Sequence, residues 1–159
     1  MNIDGAWDAT ETQQFLQDAL IPLRVSCHHP SGGLWMVSLW YRYDGQFQCA
    51  TAMRSDVARF LRRDGSVAFE VSTNRPPYMG VRGNGHASLA PDEDKTVLRS
   101  LLERYLGNTE NALATTLLAG DREEVVITID PARLYTWDFS ARMDRETPAN
   151  RWRPSSPQQ

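Results

Sequence analysis

The sequence predicts an α+β fold that is mainly β, in which a small antiparallel barrel carries peripheral helices. Most apolar segments alternate at every second residue, as half-buried strands do. Short turn-forming connections separate several of these segments, and apolar residues at helical spacing occur only in a few separate insertions. Because strands and helices do not alternate regularly, a doubly wound parallel sheet is disfavoured. Closing the sheet into a barrel would remove its exposed edges.

Size and composition indicate one folded domain. With 159 residues, 41% hydrophobic and 23% charged, the chain has enough apolar material for a core. We assign the domain to residues 1–146, with a flexible amino terminus over 1–9 and a Pro/Ser/Gln-rich tail over 147–159. A formal net charge of -3 gives no general attraction to DNA or RNA, so an anionic ligand would need a local cluster of Arg or Lys.

Cysteine usage and hydropathy favour a cytoplasmic protein. Cys27 and Cys49 do not form a Cys-x-x-Cys pair, and we expect both as small, reduced, buried side chains. Residues 1–10 are acidic and lack the apolar run of a secretory signal. No stretch approaches the ~18 apolar residues of a membrane-spanning helix, so no membrane partner is expected.

The first half of the chain predicts one helix followed by strands. The helix covers Thr10–Leu20, where Thr10 can act as the cap and Gln13 stands in capping-box register. A two-residue apolar period then predicts strands over 21–27, 34–43 and 47–51. Asp44-Gly45 is typical of a type I′ hairpin turn, which needs positive φ. The aromatic-rich segment 34–43 is mixed on its even face, so we expect it to be covered on both sides.

The second half predicts further helices and strands. Ser55 can cap a helix that runs to about Arg63. Pro91-Asp92 opens another helix, which Gly107 ends, and a third is expected over Thr109–Leu118. Strands are predicted over 66–72, 78–89, 124–129 and 134–139, the last two separated at Asp130-Pro131.

The histidines do not form a metal-binding pattern. His28 and His29 are adjacent on a predicted strand, so their side chains point to opposite faces and cannot easily share one ion. No His-x-x-x-His or Cys-x-x-Cys spacing accompanies them. We therefore expect no metal site, with His28 exposed near a turn and His29 partly buried.

The segment from Thr51 to Arg63 is the first candidate binding site. A strand ends at Thr51, a short loop carries Arg54 and Ser55, and a helix follows. Free N–H groups at the helix start, the Ser55 hydroxyl and the Arg54 guanidinium could together bind a phosphate. The alternative, favoured for this segment in isolation, is that Ser55 only caps the helix and the arginines form a solvated face.

The end of the last strand is the second candidate. Trp137 is followed by Arg142 and Arg145, and an aromatic plane beside guanidinium groups suits a flat anionic ligand. The alternative is that Trp137 plugs the end of the barrel or makes a subunit contact.

Four segments, in this order, resemble the pyridoxamine 5′-phosphate oxidase-like family of flavin-binding split β-barrels. They are Leu34–Tyr41 with Asp44-Gly45; Cys49–Thr51 with Ser55 and 60–64; Val81–Ala87; and Val126–Pro131 with Trp137. The first is similar to the family's central hairpin and the second to its phosphate loop and helix. The third is similar to its Val-Arg-x-x-Gly-x-Ala strand and the fourth to its closing strands. The resemblance implies a split β-barrel with peripheral helices.

The resemblance also implies a homodimer with FMN at the interface, or alternatively with a deazaflavin coenzyme. Three groups of residues would form each site: Val37, Ser38 and Leu39 against the isoalloxazine ring; Thr51, Arg54, Ser55 and Arg59 at the phosphate; and Trp137 with Arg142 or Arg145 from the other subunit. The flavin supplies the hydride chemistry while the protein positions and tunes it, so no protein nucleophile is required.

The implied function is an FMN-dependent oxidoreductase acting on an unknown small molecule, with Trp40, Tyr41 or Tyr78 as stacking surfaces. The alternatives are a deazaflavin-dependent reductase on the same fold and a non-catalytic flavin- or haem-binding protein. Asp56-Val57 stands where the oxidase itself has a basic pair after its serine, and Trp40 stands where it has a lysine. These departures argue against pyridoxamine phosphate as the substrate.

Overall fold

One curled, mainly antiparallel sheet organises the protein, and the computed structural model describes residues 2–143 of it. The strands are β1 (Asn2–Gly5), β2 (Leu23–His28), β3 (Leu34–Leu39), β4 (Arg42–Tyr43), β5 (Phe47–Ala52), β6 (Ser66–Ser72), β7 (Met79–Pro91) and β8 (Glu124–Asp138). The helices are α1 (Ala9–Asp18), α2 (Asp56–Arg63), α3 (Thr96–Leu106), α4 (Ala112–Leu117) and α5 (Ser140–Met143). The tail expected over 147–159 lies outside the described residues.

The strand order is β3-β2-β6-β7-β8-β5-β4, with β1 added in parallel beside β8. The chain passes from β3, at one end of this path, to β4, at the other, through Trp40 and Tyr41 alone. Such a short link brings the two terminal strands of this path near each other without pairing them, so the sheet curls into a half-barrel. The fold class predicted from the sequence, a mainly β α+β barrel with peripheral helices, is confirmed.

The long strand expected over 34–43 is interrupted at this link. Trp40 stacks on Tyr105 of α3, with ring centroids 5.0 Å apart and planes 5° apart. Tyr41 is fully buried, and its hydroxyl donates a hydrogen bond to the Leu16 carbonyl at 2.8 Å. The predicted hairpin at Asp44-Gly45 is present, since β4 pairs antiparallel with β5. Its turn is not the expected type I′, because Tyr43 pairs with Phe47 across three residues and only Gly45, with φ of 73°, has a positive φ.

The last two predicted strands are one continuous strand, β8. Pro131 does not end it, because a β-bulge lies there: Asn84 pairs with Arg133 while Gly85 pairs with Pro131, which leaves Ala132 without a partner on β7. A bulge accommodates a proline, since the missing N–H would otherwise interrupt the ladder.

The amino terminus corrects the expectation of a flexible stretch over 1–9. Asn2–Gly5 forms β1, which pairs in parallel with residues 133–136 of β8. Gly5 has φ of +124°, and a Cβ there would lie 2.0 Å from the Thr136 carbonyl oxygen, so this position requires glycine.

The helix boundaries also differ from expectation. Helix α1 begins at Ala9, and its capping box is formed by Asp8 and Glu11 rather than Thr10 and Gln13. Leu20, the expected last residue of this helix, lies beyond its end at Asp18 and is 58% exposed. Helix α3 begins five residues after Pro91, which belongs to β7, and Asp92 instead accepts hydrogen bonds from the first-turn amides of α3. Helix α4 is capped by Asn111 and is shorter than the expected Thr109–Leu118.

The core lies inside the curl of the sheet. Alternate side chains of β2, β5, β6, β7 and β8 fill it, together with the inward faces of α1 and α2. Val57, Phe60 and Leu61 of α2 are buried there. A second, smaller cluster beneath α3 and α4 is built on Leu98, Leu102 and Ala114. Among residues 2–143, no helix is long and apolar enough to cross a membrane.

Candidate functional site

The strand expected to face a flavin ring, β3, is an edge strand paired only with β2. Val37 and Leu39 are half-buried and pack against the core, whereas Ser38 is exposed. Ser38 shares the open face of the sheet with Arg24, its partner on β2. The unpaired edge and the open face are therefore both accessible beside this segment in the single chain.

The helix expected to bind a phosphate, α2, begins where the sequence places it. Ser55 is the N-cap, and its side-chain oxygen accepts from the Ala58 amide at 3.3 Å. Thr51 is half-buried near the end of β5, opposite Val125. The helix has eight residues after the cap. Its first-turn backbone amides point out of its amino end, toward the loop of Met53 and Arg54 that precedes it.

The arginines near this helix differ in what they contact. Arg54 is exposed and has no hydrogen-bond or ion-pair partner within residues 2–143. Arg59 forms an exposed ion pair with Asp56 at 2.6 Å and lies 5.4 Å from the centre of the Phe60 ring. Arg62, which lies within the candidate segment 51–63 but is not among the residues expected at the phosphate, donates to the Met53 carbonyl at 3.0 Å. The structure thus adds Arg62 beside Arg54 and removes much of the charge that Arg59 could offer.

Aromatic contacts join β3 directly to α2. The Trp35 ring on β3 meets the Phe60 ring edge-on at 5.7 Å, and the His29 ring meets Phe60 at 4.8 Å. At the carboxyl end of α2, the Asp64 carboxylate lies 2.7 Å from His28 Nδ1. The two segments expected to hold the ring and the phosphate of one ligand are therefore neighbours.

Two of the three expected stacking surfaces are used within the chain. Tyr41 is fully buried and its burial raises the pKa of its hydroxyl, so this expectation is wrong. Trp40 is half-buried and gives one face to Tyr105. Tyr78, which is 42% exposed, keeps a free surface.

Trp137 and Arg142 make their contacts outside β3 and α2. Trp137 packs across Gly80 of β7, where a Cβ would come within 2.8 Å of the indole, and the Arg82 guanidinium lies 5.6 Å from its ring. Arg142 is exposed on α5, and Arg145 falls outside the described residues. No hydrogen bond, ion pair or ring contact links Trp137 or Arg142 to β3 or α2 within 2–143.

Neither a protein-family model nor a curated protein sequence matches this chain. Solved structures do match. A conserved hypothetical protein from Mycobacterium tuberculosis superposes with a TM-score of 0.71 at 22% identity, covering 94% of both chains. An F420 reductase gives 0.60 at 20% identity, over 76% of this chain and 94% of the other. A FAD-binding protein from Mesorhizobium loti gives 0.58 at 18% identity, over 80% and 92%.

The chain has the split-barrel fold. The fold expected from the resemblance is thereby confirmed. Two concavities lie elsewhere on this split barrel, one of about 250 Å³ on the exposed face of α1 and one of about 480 Å³ around the β-bulge near His86 and Asp130. Neither is lined by residues of β3 or α2.

The remaining reactive groups of the split barrel are either engaged or buried. Cys27 and Cys49 are buried free thiols, as expected, and burial raises the pKa of each, so neither is a reactive thiolate. His28 is exposed and His29 half-buried, as expected, with Asp64 and Ser31 as their partners. In the part of the chain that the structure describes, no three His, Cys, Asp or Glu side chains are arranged to hold a metal ion.

Proposed function

We propose that the protein is an FMN-dependent oxidoreductase that acts on a small molecule. The observation that carries this proposal is the contact between Trp35 and Phe60 at 5.7 Å, which places the ring-facing strand beside the phosphate-facing helix. The likeness in fold to an F420 reductase and a FAD-binding protein supports a flavin-type ligand. The substrate is left open.

The phosphate end of the ligand would be held by the loop before α2. Arg54 has no competing partner within residues 2–143, and Arg62 is anchored on the Met53 carbonyl with guanidinium donors to spare. Thr51 and Ser55 would add hydroxyl groups, and the first-turn amides of α2 would add the positive end of the helix dipole. Charged donors and oriented amides are the groups that bind phosphate in proteins.

The ring would lie along Val37, Ser38 and Leu39. Backbone groups on an edge strand are free to bond the polar rim of a flat heterocycle, and the half-buried Val37 and Leu39 place apolar side chains beside that edge. When bound, the flavin supplies hydride transfer. This chain's task is then to bind and orient it and to exclude water.

A second copy of the chain would complete the site, as a homodimer with the flavin at the interface. Leu34 is 75% exposed and Met36 68% exposed on β3, beside the proposed ring position. Large apolar side chains grouped on an open strand are typical of a surface that another protein covers. Trp137 is half-buried and Arg142 exposed, and in such a homodimer they would contribute to the flavin site of the partner.

A deazaflavin-dependent reductase is the second candidate, favoured by the match to an F420 reductase with a TM-score of 0.60. F420 is a deazaflavin coenzyme. Competitive binding separates the candidates: a clear preference for FMN rejects the deazaflavin proposal, and a clear preference for the deazaflavin rejects FMN.

Arg54→Ala tests the proposed phosphate contact. We expect the Kd for FMN to rise by roughly tenfold or more, since a charge-assisted hydrogen bond contributes about 1.5–3 kcal/mol. Riboflavin, which lacks the phosphate, should bind both proteins equally. Arg63→Ala is the matched control, because Arg63 is exposed on the same helix. The measurement is quenching of flavin fluorescence on titration, and no binding of FMN to the native protein would reject the proposal.

A further inference from the structure

The charges at the start of α2 are not all available to a ligand. Asp56 is the first residue of the helix, directly after the Ser55 cap, and its carboxylate lies 2.6 Å from the Arg59 guanidinium. Arg59 is further fixed by its position over the Phe60 ring. Arg54 and Arg62 are the neighbouring cations that no acid neutralises within the described residues.

Asp56 acts on an anion at this position in two ways. Its charge offsets that of Arg59, and it occupies the positive end of the helix dipole that a phosphate would otherwise use. Its own field also repels a bound phosphate. At about 5 Å in water, one unit charge on another changes an affinity by roughly fourfold, and the phosphate of FMN carries nearly two charges at neutral pH.

We infer that Asp56 sets the charge selectivity of the flavin site: through Arg59 and through its own charge it reduces the affinity that the doubly charged phosphate of FMN adds over the same ring system carrying less negative charge. This inference rests on the proposed flavin site. It assigns Asp56 a specificity role, with no contact to the reacting atoms, and accounts for a carboxylate placed where a phosphate is expected to bind.

The test compares FMN with riboflavin, which has the same ring and no phosphate. We expect Asp56→Asn to lower the Kd for FMN by about fivefold to tenfold at low salt and to leave the Kd for riboflavin unchanged. The gain should shrink as salt is raised from 20 to 500 mM, since exposed charges are screened. Glu110→Gln removes the same charge from the exposed α3–α4 connection and should change neither Kd.

Arg59 separates the two contributions of Asp56. If Asp56 acts by neutralising Arg59, adding Asp56→Asn to Arg59→Gln should give no gain in FMN affinity over Arg59→Gln alone; if it acts by its own field, the gain should be the same on both backgrounds. Either result supports the inference.

The ratio of the two Kd values distinguishes the possible failures. If the protein binds both ligands and Asp56→Asn leaves the ratio of the Kd for FMN to the Kd for riboflavin unchanged, the charge-selectivity role is wrong and the proposed flavin site stands. If neither ligand binds the native protein or any variant, the proposed flavin site is wrong, and the inference falls with it.

Discussion

The Asp64 carboxylate, at the carboxyl end of α2, has two hydrogen-bond partners. It accepts from the Ser66 amide at 2.9 Å and lies 2.7 Å from His28 Nδ1. These bonds, led by the one from the Ser66 backbone, lower the pKa of Asp64 from 3.8 to about 2. They tie the end of α2 to β6 and β2.

The lowered pKa of Asp64 predicts a stability that depends on pH. A group with a depressed folded-state pKa stabilises the protein above its unfolded pKa, and this contribution is lost as pH falls from about 4 toward 2. Asp64→Asn should therefore lower the urea midpoint at pH 7, and the difference from the native protein should shrink between pH 5 and pH 3. Asp18→Asn, an exposed control on α1, should show no such pH dependence. An Asp64→Asn effect of the same size at both pH values would contradict the proposed contribution.

At this scale the sequence predicted the cap of α2 at Ser55, whereas α1 is capped by Asp8 rather than Thr10. The Ser55 cap and the inward Val57 follow from helix chemistry and spacing. The bond from Arg62 to Met53 does not, because a long flexible side chain can reach several carbonyls and only the folded loop selects one. The burial of Tyr41 was missed because its place in the strand alternation suited an exposed or a buried ring equally.

The link between β3 and β4 is the element on which the proposed ring site depends. Tyr105 of α3 stacks on Trp40, donates to the Ile21 carbonyl at 3.1 Å and accepts from the Tyr41 amide at 3.4 Å. Arg104 beside it donates to the carbonyls of Leu16 and Ala19 at the end of α1. Helix α3 therefore holds in place the link between β3 and β4, which immediately follows Val37–Leu39.

Two variants of Tyr105 separate its ring from its hydroxyl. Tyr105→Leu loses both the stacking and the hydrogen bonds, and we expect it to lower the free energy of unfolding by about 2–4 kcal/mol. Tyr105→Phe keeps the ring and should cost about 1 kcal/mol. Urea unfolding followed by circular dichroism measures both. Equal losses for the two variants would show that the stacking on Trp40 does not stabilise the link between β3 and β4.

The elements that sequence reasoning missed are those set by distant partners. The odd positions from Trp35 to Tyr43 stay apolar across the break at residues 40–41, so alternation alone could not reveal it. The strand β1 has only four residues, too few to show an apolar alternation. It is a strand because it pairs with the free edge of β8. Strands with a full apolar face, such as β6, have the predicted bounds because their burial is encoded locally.

At the scale of the whole molecule, the order of weak motifs predicted the split-barrel fold, and the site divides into two parts. The β3–α2 region forms within one chain, whereas no hydrogen bond, ion pair or ring contact joins Trp137 or Arg142 to it among residues 2–143. The order of the motifs proposes both groups of residues for one site, and the proposed homodimer is what would bring them together. The exposed Leu34 and Met36 on the open strand are consistent with that arrangement.

Sedimentation velocity of the protein with FMN, recorded at the visible absorbance of the flavin, tests the central claim most directly. A flavin site completed by two subunits predicts that this absorbance moves with a species of about 36 kDa, twice the chain mass of 18.0 kDa. Flavin that stays unsedimented while the protein moves as an 18.0 kDa monomer would contradict both the cofactor and the shared site.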